Sequence, residues 1–358
     1  MNIYTISFLL CFLFAFIELI INNNTQKSRL INRFNLFFSI VIMFFIAGFR
    51  EVGYDYNSYK GIYNAIGGSN WFIKGGVHGM EPGFALLNHL SSSYQILLAT
   101  MSLLCLVLLF NVLIRYSKLP ILSLLIYWGV FFLSGVMGQQ RQALAVIISI
   151  YAIINVDNKR IFYPVIFIAM MFHMSAILVL AAKFIPKDYK PLKYYVISYI
   201  GAIIMNMIAH KAYLVVINYF PPFMANKLMI YAEKETTSLG LNSAVLLRTI
   251  FFCLYYNFRD RLRQIPYLPH LLNCYFLSLL IYIGFGFAPQ VAGRGGVYFA
   301  ALEVIISANL VYVLKGRTKL VILFMILAIS AFRLIRFIND PAQSSYNVDY
   351  LPYQNWLL

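Results

Sequence analysis

Residues Gly48 to Tyr63 set an arginine, two carboxylates and four tyrosines directly after an apolar run, Phe34 to Phe49. Arg50 can grip phosphate oxygens with its planar fork, Glu51 and Asp55 can move protons, and the rings of Tyr54, Tyr56, Tyr59 and Tyr63 can stack on sugars or anchor at headgroups. At the end of a membrane span, that set suits a lipid-linked substrate bearing phosphate and hydroxyl groups. The same residue types also make a plain interfacial anchor.

Further polar residues recur at the ends of apolar stretches or inside them. Arg141 starts a helix at the tip of a tight hairpin, Met137-Gly138-Gln139-Gln140-Arg141, where it can bind an anion or snorkel to the interface. His173 interrupts the apolar stretch Ile161–Ala182, either as hydrogen-bonded packing or as a base or phosphate donor. Arg294 lies in Ala292-Gly293-Arg294-Gly295-Gly296, whose glycines permit close backbone approach to a ligand or make the turn between two spans. Tyr298, four residues on, shares its face if the helix has begun. Asp55 is either a proton acceptor or the N-cap of a helix over Tyr56–Ala65, on which Tyr56, Tyr59 and Tyr63 would share a face. Glu81, before Pro82-Gly83-Phe84, is a second acid or a helix start. Arg248 and Glu303, inside spans, are expected to pair or to line a cavity, and Arg333 and Arg336 to be interfacial. Asp-x-Asp, a P-loop and a His/Cys zinc constellation are all missing from the sequence, so neither metal nor cofactor is expected.

The positioning elements must be membrane helices. Of 358 residues, 61% are hydrophobic and 11% charged, with mean hydropathy +0.76, and the apolar runs are continuous rather than alternating. This predicts an all-α, polytopic membrane protein with about 10–12 membrane segments in one domain, 1–358. Two longer extracytoplasmic segments, about 50–93 and 218–243, interrupt it. The first apolar run lacks a basic leader and a small-residue cleavage site, so it is expected to be retained as a span. Cys11, Cys105, Cys253 and Cys274 fall in apolar runs with no metal or redox spacing.

The net charge of +16 resides in short clusters between spans, which excludes nucleic acid as the partner. With the amino terminus outside, 17 of the 28 basic residues fall in inside loops. That count requires Ile161–Ala182 to begin and end on one side, and 22 residues are too few for two spans of ~20. A re-entrant or broken pair of half-helices, bent near Phe172-His173-Met174-Ser175, is therefore expected. A single ordinary span is the alternative.

Five motifs together resemble the EpsG/Wzy family of bacterial polysaccharide polymerases. They are Gly-Phe-Arg-x-x-Gly-x-Asp-Tyr-x-x-Tyr (Gly48–Tyr59), Glu-Pro-Gly-Phe (Glu81–Phe84), Arg-Gln-x-Leu-Ala (Arg141–Ala145), Phe-His-x-Ser-Ala (Phe172–Ala176) and Gly-Arg-x-x-x-Tyr (Gly293–Tyr298). The resemblance implies a glycosyltransferase of the bacterial inner membrane with its active site facing the periplasm. It would move a growing glycan from undecaprenyl diphosphate onto a lipid-linked repeat unit, building O-antigen or a related surface polysaccharide. Donor and acceptor would both be undecaprenyl-diphosphate-linked glycans held among membrane lipid, and a chain-length regulator would be a partner. On this reading Arg50, Arg141 and Arg294 clamp diphosphate, with His173 in support. Asp55 is the first candidate base and Glu81 the second, while Tyr59 and Tyr298 position sugar or phosphate. A lipid-linked oligosaccharide flippase and an O-antigen ligase are the competing readings.

Overall fold

The computed structural model describes residues 2–21, 25–66, 80–216, 241–340 and 350–357, so most of the expected segment 218–243 lies outside the described residues. All of the long elements are helices. In chain order they are α1 (Ile3–Ile20), α2 (Gln26–Gly48), α3 (Tyr56–Ile66), α4 (Pro82–Leu90), α5 (Tyr94–Tyr116) and α6 (Pro120–Tyr127), which runs on as a π-helix over Trp128–Val136. Then come α7 (Gln140–Ile154), α8 (Lys159–Met170), a 3₁₀ helix over Met174–Phe184, α9 (Leu192–Val216), α10 (Ser243–Asn257) and the short α11 (Arg259–Leu262). Last are α12 (Leu268–Gly284), α13 (Pro289–Ala300), α14 (Glu303–Val313) and α15 (Gly316–Ile338). Six described helical runs are long and apolar enough to cross a bilayer, with α13 and α14 acting as one run over Pro289–Val313. The chain is a multi-pass helical membrane protein.

Local chemistry sets the helix ends. Thr25 and Ser28 close a capping box at the start of α2, and the Ser93 hydroxyl accepts from Ile96 N–H at the start of α5. The first turn of α6 is capped from another helix, because the buried Glu18 of α1 accepts from Ile121 N–H and Leu122 N–H at 3.2 and 3.0 Å. A residue that disrupts an isolated span thus serves to join two.

Ile161–Ala182 doubles back as expected. Twelve residues of α8 rise about 18 Å and eleven of the 3₁₀ helix about 22 Å, both short of a ~30 Å hydrocarbon layer. The two feet meet: Lys183 Nζ donates to the Val156 carbonyl at 2.9 Å, and Lys187 pairs with Asp157. At the apex, the Met171 carbonyl accepts from Gly83 N–H at 2.8 Å, so α4 rests on the bend. Only glycine allows this approach, since a Cβ on Gly83 would stand 2.7 Å from that carbonyl oxygen.

Two expectations are corrected. The glycines around Arg294 do not form a turn. Pro289 starts α13, the chain turns just before it, and Arg294 is mid-helix. Gly295 and Gly296 instead admit neighbours, since a Cβ on Gly296 would lie 2.6 Å from the Tyr282 ring. Nor do Arg248 and Glu303 pair; of the two alternatives Arg248 takes the second, lining a cavity with Arg333 and Arg336. Glu303 binds Arg333 at 2.7 Å and the Tyr275 hydroxyl at 3.1 Å, while the Arg248 guanidinium lies 4.5 Å from the centre of the Tyr282 ring. Arg333 is therefore drawn inward to neutralise a carboxylate that hydrocarbon would not accept unpaired.

Candidate active site

One end of the bundle holds α3, α4, the apex of the re-entrant hairpin and the start of α7, and the sequence-predicted residues gather there. Arg141, one residue into α7, donates Nη1 to Glu81 Oε2 at 2.6 Å. Glu81 stands at the start of α4, and its other oxygen accepts from Met174 N–H at 3.2 Å. Both of its oxygens are thus engaged, which makes Glu81 a fixture that aims Arg141 and steadies the apex. The Arg141 guanidinium also lies 5.3 Å from the centre of the Tyr59 ring and 5.2 Å from that of Phe84.

Asp55 is half-buried immediately before α3, and its backbone carbonyl accepts from Tyr59 N–H at 2.8 Å. Its carboxyl sits in the fields of Arg141, Arg294 and Arg50 and is hydrogen-bonded by Tyr59. Burial raises its pKa above the ordinary aspartate value, and those cations and the hydrogen bond only partly offset the rise. Tyr59 is buried and pushed up to about 12 by burial, with Asp55 adding to the rise and Arg141 opposing it. It therefore stays a neutral donor. Tyr56, Tyr59 and Tyr63 do share the inward side of α3, where the Tyr63 hydroxyl donates to the Ser91 carbonyl at 2.8 Å.

At the apex, the Ser175 hydroxyl lies 2.6 Å from His173 Nδ1 and 3.0 Å from the Tyr298 hydroxyl, which is itself 3.4 Å from the same nitrogen. Gln142 Nε2 donates to the Arg294 carbonyl at 2.8 Å and so ties α7 to α13. This hydroxyl–imidazole chain, bordered by Arg141 and Arg294, can pass a proton or hold an anion. Beside it, a pocket of about 180 Å³ is lined in part by Tyr54, Ser134, Gln139 and Gln142. The roles of Ser175 and Gln142 were not foreseen, although both neighbour residues that were. Only the bend and the helix packing aim them here.

The model of the EpsG family matches residues 33–355 of this sequence, nearly the whole chain. The chain belongs to the EpsG family. That family includes Wzy-type polymerases, and membership together with the membrane-spanning helices makes this a membrane protein of polysaccharide biosynthesis. No curated protein and no solved structure is detectably similar to the chain.

In this EpsG-family chain Arg50 stands apart from the other two arginines. It is fully buried, its Nη1 donates to the Ala47 carbonyl at 2.7 Å, and its Nε and Nη2 have no hydrogen-bond partner among the described residues. The carboxy-terminal strap covers it: Asn355 forms a β-bridge with Arg50, Glu51 N–H donates to the Gln354 carbonyl, and Trp356 N–H donates to the Phe49 carbonyl. Gly53 permits the enclosure, at φ 127° and with no Cβ to strike the Met137 carbonyl at 2.2 Å. Arg50 thus acts on Asp55 through its field alone, whereas Arg141 is partly accessible and Arg294 is exposed.

Proposed function

We propose that this protein polymerises polyprenyl-diphosphate-linked oligosaccharides by glycosyl transfer, at the end of the bundle that holds Arg141. The observation that carries this reading is the meeting of two guanidiniums, from α7 and α13, with the carboxyl of Asp55 and the His173–Ser175–Tyr298 chain. An acceptor sugar hydroxyl would attack the anomeric carbon of the donor glycan. The new glycosidic C–O bond forms as the anomeric C–O bond to diphosphate breaks, and the hydroxyl proton goes to Asp55. Arg141 and Arg294 neutralise charge on the departing diphosphate, and Glu81 fixes the angle of Arg141. Tyr59 and Tyr298 supply donors that orient phosphate or sugar. The basic inter-helical turns gather at the opposite end, which supports a periplasmic orientation for this one under the positive-inside rule.

Deletion of the gene in its native host tests the reading against its rivals. A polymerase defect leaves one repeat unit on the surface glycan, a flippase defect leaves none, and a ligase defect leaves polymer that never reaches its final acceptor. Either of the last two outcomes overturns the proposal. Complementation by wild type but not by Arg141→Ala, at matched membrane levels, ties the activity to this site.

A further inference from the structure

The end of the bundle opposite the candidate site carries a second concavity. A groove of about 790 Å³ opens between the end of α1, the start of α2 and the α5–α6 and α14–α15 turns, ringed by Arg29, Arg33, Arg115, Lys118, Lys315 and Lys319. Among the described residues none of these six is in an ion pair. Glu18 also lines the groove, but its carboxylate is already occupied by the two N–H groups of α6. The positive-inside rule accounts for basic residues at this end, but not for their closing around one hollow.

Arg115 lines a second cavity as well. An apolar trough of about 340 Å³ runs between α5, α7 and α8, lined by Leu108, Val112, Ile147, Ile148, Val165 and Ile168. Leu108 lies seven residues from Arg115, about 10 Å along the helix. A cationic hollow and a hydrocarbon-lined slot that share one arginine match an amphiphile with an anionic head. A soluble phosphate would leave the slot without purpose. Around the groove, Leu30, Phe34, Leu320 and Val321 are exposed, as suits a surface turned to lipid tails.

We infer that this end binds an anionic phospholipid, its phosphate in the groove around Arg33, Arg115, Lys315 and Lys319 and one acyl chain in the trough. The inference does not depend on the polymerase reading, because no residue is shared with the candidate active site.

The test uses the full-length protein, delipidated in detergent, with native mass spectrometry after addition of phosphatidylglycerol, phosphatidylethanolamine or glycerol phosphate. Wild type should retain phosphatidylglycerol about tenfold better than phosphatidylethanolamine, and glycerol phosphate should not be retained. The triple variant Arg33→Gln, Lys315→Gln, Lys319→Gln should lose that preference, whereas Arg317→Gln, at the same end but outside the groove, should keep it. Ile148→Trp, which fills the trough, should weaken retention with the charges intact. Should it fail to fold, Leu108→Asn on the accessible wall replaces it. Equal retention of the zwitterionic lipid, or an unchanged triple variant, overturns the inference. So does binding of glycerol phosphate as tight as that of the lipid, which would leave only a headgroup anion site.

Discussion

Arg141 and Glu81, sixty residues apart in the chain, meet at 2.6 Å and bolt the start of α7 to the start of α4. Both side chains are more than four-fifths buried, so the pair is shielded from bulk water and salt. Because Glu81 also receives the Met174 N–H, one carboxylate sets the position of the guanidinium and of the re-entrant apex together.

Arg141→Lys should keep the charge yet lose the fork that serves both Glu81 and a phosphate. We expect polymer synthesis to fall about a hundredfold, equivalent to about 3 kcal/mol of transition-state stabilisation. Glycan-length analysis on gels at matched expression measures it, and full-length polymer at wild-type yield would remove Arg141 from the clamp. Glu81→Gln should cost less in chemistry and more in thermal stability, since it leaves a largely buried cation without its counter-charge.

On the proposed mechanism, Asp55 sets the pH response. Burial raises its folded-state pKa, so it is protonated, and idle as a base, at pH values where an ordinary aspartate is already ionised. Activity should therefore rise with pH along an acid limb above the usual aspartate range, and Asp55→Asn should abolish activity across the range. Since Arg141 lowers the Asp55 pKa, Arg141→Gln should move the limb to higher pH. A limb unmoved by Arg141→Gln would separate Asp55 from the site. For stability the sign reverses. A carboxyl with a raised folded-state pKa binds its proton more tightly in the native state, so its contribution declines as pH rises from the unfolded value through the folded one.

Gly83→Ala tests the seat of α4 on the apex. The new methyl would stand 2.7 Å from the Met171 carbonyl oxygen, and backbone is the obstacle rather than a flexible side chain. Displacement should cost about 1–3 kcal/mol in stability and lower activity by loosening Glu81. The same change at Gly61, where a Cβ meets nothing within 4 Å, is the control, and similar melting temperatures for the two variants would deny the contact any role.

For Arg50 the expected outcome is electrostatic. Arg50→Met fits the apolar part of its chamber and removes a cation near Asp55. It should raise the acid limb of the pH profile while the apparent affinity for lipid-linked substrate changes by less than about threefold. A large loss of substrate affinity with an unmoved limb would instead put Arg50 in direct contact with phosphate.

Composition and apolar run length already determine a polytopic helical chain, because hydrocarbon leaves the backbone few other ways to satisfy its hydrogen bonds. The charge count points to a stretch over Ile161–Ala182 that returns to its own side, with a single span as the alternative, and only the Lys183–Val156 contact decides between them. Local chemistry also makes Arg141, Asp55, Glu81 and Arg294 stand out, since charged groups next to or inside apolar runs must reach water, a partner or a polar cavity.

Their division of labour was left to tertiary structure. Nothing in the order of residues separates Arg50, sealed beneath the carboxy-terminal strap, from Arg141, paired with Glu81. Nor does it tell Glu81, with both oxygens engaged, from Asp55. The partner of Glu303 is thirty residues away on another helix, and the Gln142 amide finds its carbonyl 152 residues on. Sequence determines which groups membrane burial obliges to find partners. Which partners they find depends on helix packing, because contacts between distant segments exist only once the bundle has brought them together.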